Sequence, residues 1–225
     1  MGKHFSLVAA DSFKLGAYRA DPVGAVKGGI VVIQEIFGVN HHIRAVCDRL
    51  AGEGYAAVAP ALFDRQQPNF ETGYSPDEIA NARKFVANPD WGAMMRDTQA
   101  AIDEAKKSGP AAIIGFCMGG TIAFLAAAKL NGLSAAIGYY GGQIAKNADE
   151  KPKVPTQLHF GEKDAAIPMS DVEMIKQKRG GDCEIYVYAG AQHGFHCDER
   201  GSYDEAAAKL AWQRAMAFLQ KNLKK

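Results

Sequence analysis

The sequence predicts a single α/β domain over residues 1–225, with a mostly parallel central sheet flanked by helices on both faces. Two observations carry that expectation. Short apolar runs alternate along the chain with helix-period patterns, and no Pro-, Gly- or Ser-rich linker, internal repeat or low-complexity stretch divides it. The runs at 26–34, 55–60, 111–116, 135–140, 156–160 and 184–188 are apolar or β-branched and end at turn residues. That is the pattern of strands buried on both faces of a parallel sheet. Helical patterns fall between them at about 41–52, 76–87, 91–107, 118–130, 169–179 and 202–222. Ser75-Pro76-Asp77-Glu78 combines a capping box with proline at the first helical position, and Ser202-Tyr203-Asp204-Glu205 has the form of a second capping box. The last helix carries Ala208, Trp212, Met216, Leu219 and Leu223 at helical spacing, one apolar face. Ahead of all this, segments 5–10 and 13–19 around Asp11-Ser12 read as a short antiparallel N-terminal hairpin.

Composition excludes several function classes. Twenty-six Lys and Arg against 25 Asp and Glu leave a net charge of +1, which gives no general attraction to nucleic acid or an anionic membrane. No apolar run approaches the roughly 20 residues of a membrane span. The opening Met-Gly-Lys-His-Phe-Ser has no signal-peptide core. Four cysteines, at 47, 117, 183 and 197, form no dense disulfide framework, so a reducing cytoplasm is the expected location. The expected partner is a small molecule, and the chain is expected as a monomer with a dimer as the alternative.

The strongest local signal is Gly115-Phe116-Cys117-Met118-Gly119-Gly120, directly after one apolar run and before an Ala-rich helix. A nucleophile on a sharp strand-to-helix turn sits in a strained backbone conformation, so its close neighbours must lack side chains. The turn lifts the side chain above the carboxyl edge of the sheet. There the helix N-terminus stabilises negative charge on a thiolate or an oxyanion. A thiol nucleophile needs a base, and the base an orienting carboxylate. Asp164 follows the 156–160 run and His193 follows the 184–188 run, both in loops at the edge where open α/β sheets build their sites. Nucleophile, acid, histidine is the chain order of the α/β-hydrolase fold.

These motifs, with Gln34-Glu35-Ile36-Phe37-Gly38-Val39-Asn40, Gly138-Tyr139-Tyr140-Gly141 and Gly190-Ala191-Gln192-His193-Gly194-Phe195, resemble the dienelactone hydrolase family over nearly the whole chain. Members are cysteine-dependent α/β-hydrolases, of which carboxymethylenebutenolidase is the best known. The resemblance implies hydrolysis of a lactone or ester without a cofactor, with Cys117 as nucleophile, Asp164 and His193 as its partners and Glu35 as a fourth participant. It further implies an oxyanion hole from the backbone N–H groups of Ile36 and Met118. In that family the acid at the position of Glu35 keeps the resting thiol neutral and activates it when substrate binds, which limits oxidation of the thiol.

The chain departs from the family pattern where the best-known members grip a substrate carboxylate with two arginines. One of those positions corresponds to Ile79, with Arg83 a turn later on the same helix face; the other corresponds to Cys197, with Arg200 three residues on. Arg83, Phe37 and Tyr139 are the candidate substrate-binding residues, and an arginine on an apolar face also has the option of snorkelling to solvent. The pair His41-His42 opens a helix, and His193, His196 and Cys197 lack a second ligand pair at zinc spacing, so no metal is expected. Cys47 and Cys183 read as structural thiols. Two other readings remain open at this stage: a general carboxylesterase or thioesterase using the same triad, and a non-hydrolytic thiol redox or binding protein.

Overall fold

The computed structural model describes residues 2–224. All eight strands join one sheet in the order β1-β2-β4-β3-β5-β6-β7-β8. The hairpin of β1 (Lys3–Val8) and β2 (Lys14–Ala20) turns through Ser12, whose φ is 66°, and β2 then pairs antiparallel with β4 (Ala56–Pro60). From β4 onward every pairing is parallel: β3 (Gly29–Ile33), β5 (Ala111–Phe116), β6 (Leu133–Tyr139), β7 (Thr156–Gly161) and β8 (Cys183–Tyr188). Strands β3, β4 and β5 are buried at every position. Their unbroken apolar character therefore reflects two covered faces.

The two faces are told apart by alternation. Ile30 and Val32 pack with Ile43, Val46 and Leu50 of α1 (His41–Gly52) and with Ala211, Ala215 and Leu219 of α6 (Glu205–Asn222). Val31 and Ile33 pack with Ala101 and Ile102 of α3 (Trp91–Ala105) and with Ile122, Ala123 and Ala126 of α4 (Met118–Lys129). Helix α4 is buried from Met118 through Ala128, which explains why its sequence is apolar on all sides. Helix α2 (Pro76–Phe85) has the expected capping box between Ser75 and Glu78, and its Phe85 lies against Phe63 and Phe70. Helix α5 (Met169–Arg179) precedes β8.

Two local expectations are corrected. Helix α6 starts at Glu205 with Asp204 as its cap, the carboxylate accepting from the Ala207 amide at 3.0 Å, so Ser202 caps nothing. A charged acceptor two residues closer to the helix satisfies one of the free amides and serves the dipole as well. The buried face of α6 runs through Ala207, Ala208, Ala211, Ala215, Phe218 and Leu219, with Leu223 buried just beyond it, so of the expected stripe only Trp212 and Met216 are half-buried, at its flank. Among the described residues no helix is long and apolar enough to cross a membrane.

Candidate active site

Cys117 stands at the join of β5 and α4 with φ 55° and ψ −116°, a conformation that costs a non-glycine residue strain. Its own amide donates to the Tyr139 carbonyl at 3.0 Å. The neighbouring glycines make the turn possible. A Cβ on Gly115 would lie 1.9 Å from the Gly119 carbonyl oxygen, and one on Gly119 would lie 2.4 Å from that of Ile33. The half-buried Cys117 opens on a cavity of about 360 Å³ lined by Ile36, Val86, Pro89, Trp91, Met118, Gly142 and Gln143. The two residues expected to offer oxyanion amides, Ile36 and Met118, thus flank the sulfur in one pocket.

Asp164 follows β7 in a tight turn and is 3% exposed. Its Oδ1 accepts from the amides of Ala166 at 2.8 Å and Ile167 at 3.2 Å, and its Oδ2 meets His193 Nδ1 at 2.7 Å. With both oxygens engaged, the carboxylate is held in place against the imidazole. Burial alone would push the His193 imidazole down, but the Cys117 sulfur and the Asp164 carboxylate together raise its pKa to about 10. The Tyr140 ring lies 5.0 Å from the His193 ring, centre to centre, and supports it from within the core.

Glu35 emerges from the end of β3 and is 1% exposed. Its loop is held by its own neighbours. Gln34 accepts from the Leu62 amide, Asn40 caps α1 through the Ile43 amide, and the Phe37 carbonyl accepts from the Thr72 amide. Glu35 Oε1 accepts from Arg200 Nη1 at 2.9 Å. The guanidinium spans the rings of Phe37 and Tyr74, 5.5 and 5.8 Å from their centres. Gly194, with φ 79°, makes room for it: a Cβ there would lie 2.4 Å from Arg200 Nη1. Cys197 donates to the Tyr74 hydroxyl at 3.3 Å, and burial with Glu35 beside it pushes the thiol up to about 12.

The structure therefore brings Cys117, Asp164, His193, Glu35, Ile36 and Met118 to one edge of the sheet, and adds Arg200 to them. The Arg200 position escaped the sequence because three successive turns fold the chain back, with Cys197, Arg200 and Tyr203 amides donating to Gly194, Cys197 and Arg200 carbonyls. Such tight reversals carry no periodic signal. The substrate-binding expectations fare differently. Tyr139 does not line the pocket: it is fully buried, its hydroxyl donates to the Ala211 carbonyl at 3.3 Å, and it stacks on Phe116 and His159. The strand alternation that points Tyr139 into the α6 face is the reason. Phe37 is 2% exposed, packs edge-on against Tyr74, faces the Arg200 guanidinium and is not among the residues lining the pocket. Arg83 is exposed on α2 and lies outside the pocket lining, to which Val86 contributes from the end of that helix. Cys47 and Cys183 are buried free thiols, and burial pushes both pKa values up.

The profile of the dienelactone hydrolase family matches residues 15–223. The chain belongs to the dienelactone hydrolase family. A carboxymethylenebutenolidase of Pseudomonas putida is 34% identical over 225 residues, covering 95% of this chain and 94% of that one. A provisionally named carboxymethylenebutenolidase of Synechocystis sp. is 40% identical over 232 residues, with 95% and 94% covered. Among solved structures, a provisionally named dienelactone hydrolase of Klebsiella pneumoniae superposes with a TM-score of 0.85 at 32% identity, covering 98% of this chain and 99% of that one. As a dienelactone hydrolase family member with the α/β-hydrolase fold, the protein is a hydrolase acting on ester or lactone bonds.

Proposed function

We propose that this family member hydrolyses a lactone or ester through Cys117, Asp164 and His193, by way of a thioester. The observation that carries the reading is the 2.7 Å Asp164–His193 pair, whose imidazolium is stabilised by Cys117 at the strained elbow. The Cys117 thiolate attacks the carbonyl carbon, and the amides of Ile36 and Met118 hold the oxyanion. As the tetrahedral centre collapses, His193 gives its proton to the departing alkoxide, leaving the acyl group on Cys117. His193 then takes a proton from water, which attacks the thioester and releases the acid and the thiol. Asp164 keeps Nδ1 protonated and turned away, so that the other ring nitrogen faces the reaction.

Glu35 and Arg200 extend the site. Arg200 lies three residues beyond Cys197, the position that corresponds to one of the family's grip arginines, and it is tied to Glu35 until a substrate anion competes for it. Released from Arg200, Glu35 would be free to accept the proton of a resting Cys117 thiol and pass it to His193, giving the thiolate and imidazolium from which attack starts. A second reading, hydrolysis of neutral esters or thioesters, is favoured by the apolar walls Val86, Pro89 and Trp91 and by the outward place of Arg83. Hydrolysis of matched anionic and neutral lactones and esters separates the two. A preference for the anionic member that disappears in Arg200→Met supports the grip, and equal rates for both members leave the neutral reading. The proposed actor is one chain acting as one domain in a reducing compartment, in keeping with four free thiols and one continuous sheet.

A further inference from the structure

Glu35, His42 and Cys197 come from three separate segments: the exit of β3, the first turn of α1 and the loop beyond His193. One potential ligand atom from each lies within 4.8 Å of the other two, and all three residues are buried. Their other contacts leave lone pairs over. Glu35 Oε1 is taken by Arg200, while Oε2 is buried without a hydrogen-bond partner among the described residues. His42 Nδ1 meets Asp198 Oδ1 at 3.3 Å, while Nε2 is likewise buried and unpartnered. An Nδ1–H that donates to Asp198 leaves Nε2 as an acceptor, so an acceptor nitrogen and an acceptor oxygen share one buried space with no donor between them.

A cation resolves that conflict, and the donor set selects its class. Imidazole nitrogen, carboxylate oxygen and cysteine sulfur suit a borderline-soft divalent ion of the zinc class, whereas calcium or magnesium would require oxygen throughout. Asp198 behind His42 is the outer carboxylate that orients a metal-binding histidine and raises its basicity. Charge agrees. With Cys197 ionised, Glu35, Cys197 and Asp198 carry three negative charges beside the two positive charges of Arg200 and Arg49, so the group is net negative without an ion.

We propose that Glu35, His42 and Cys197 form a site for a zinc-class divalent cation, distinct from the Cys117–His193–Asp164 line. On binding, the Cys197 thiol loses its proton to solvent and the sulfur, Glu35 Oε2 and His42 Nε2 coordinate the ion, while Glu35 Oε1 keeps Arg200. If Glu35 activates Cys117 as argued above, an occupied site withholds that acid and inhibits hydrolysis. The binding itself does not depend on that reading.

The test is titration of Co²⁺ alone into the full-length Cys117→Ala protein, which lacks the competing nucleophile, read by thiolate-to-cobalt charge-transfer absorption and by displacement with Zn²⁺. One ion bound per chain, with the charge-transfer band and release of about one proton, is the expected result. In the same background Cys197→Ser abolishes the band, His42→Gln weakens binding at least tenfold, and Asp198→Asn weakens it by roughly tenfold. Thermal unfolding accompanies each variant; should Cys197→Ser fail to fold, His42→Gln and Asp198→Asn carry the test. Absence of the band in the Cys117→Ala protein overturns the site, since any ion bound by the wild type then sits on the nucleophile. Affinity unchanged by His42→Gln and Asp198→Asn also overturns it.

Discussion

Two histidine–aspartate pairs stand at the same edge of the sheet in opposite electrostatic states. In the first, Asp164 is buried with both carboxylate oxygens engaged, and His193 is raised to about 10 by that carboxylate and the Cys117 sulfur, against the pull of burial. In the second, the Asp198 side chain is 58% exposed while the His42 side chain is fully covered, and burial pushes the His42 pKa down despite Glu35 and Asp198 nearby. Water screens the second carboxylate and weakens its hold on a positive ring. His193, beside the Cys117 sulfur and a buried, prearranged acid, is thus the ring placed to hold a proton. His42, buried beside an acid in water, is pushed toward the neutral form that offers a lone pair.

The comparison can be broken at its strongest point first. Cys117→Ala is expected to lower turnover of any ester substrate by on the order of 10⁴-fold or more, with the circular dichroism and unfolding profile of the wild type. Full activity in that variant would remove Cys117 from the role. Asp164→Asn keeps the shape but loses the charge and the tautomer control, and should lower turnover by roughly 10³- to 10⁴-fold. Ring-proton magnetic resonance should place the His193 pKa well below its wild-type value in the same variant.

Arg200→Met comes next. Glu35 would keep its buried charge without a partner, at a cost of about 3–5 kcal/mol in urea unfolding, whereas loss under about 1 kcal/mol would mean the pair is solvated. The pH dependence of stability should then separate the two histidines by sign. His193, raised when folded, contributes stability that is complete below the unfolded value of about 6.5 and is lost as pH climbs toward 10. His42, lowered when folded, contributes stability present above about 6.5 that is lost as pH falls below it. Denaturant titrations across this range should give a fall on each side, the alkaline one diminished in Cys117→Ala and the acid one in His42→Gln. The smallest effect belongs to Asp198→Asn, whose exposed carboxylate should change stability by no more than about 0.5 kcal/mol.

Much of the site was legible because its chemistry is written in short contiguous motifs. A glycine on each side of Cys117 has one physical explanation, a turn too tight for side chains, and the distances of 1.9 and 2.4 Å confirm that explanation. Asp164 and His193 each follow a strand, so the parallel sheet delivers both to the same edge. Three residues resisted such reading. Tyr139 adjoins the glycine-rich turn in sequence, yet strand alternation sends its ring into the core. Arg83 shares a helix face with apolar residues in the sequence pattern, yet it is exposed and outside the pocket lining. Arg200 lies beyond three turns whose direction no local pattern sets.

The sequence by itself determined the layered sheet, the elbow and the order of nucleophile, acid and base, because burial periodicity and tight turns are local demands on residue type. Only the tertiary structure decided which charges meet. Glu35 and Arg200 lie 165 positions apart, and Glu35, His42 and Cys197 converge from three segments. Electrostatic partnership depends on distance and on access to water, and both are properties of the packed chain that no stretch of residues contains.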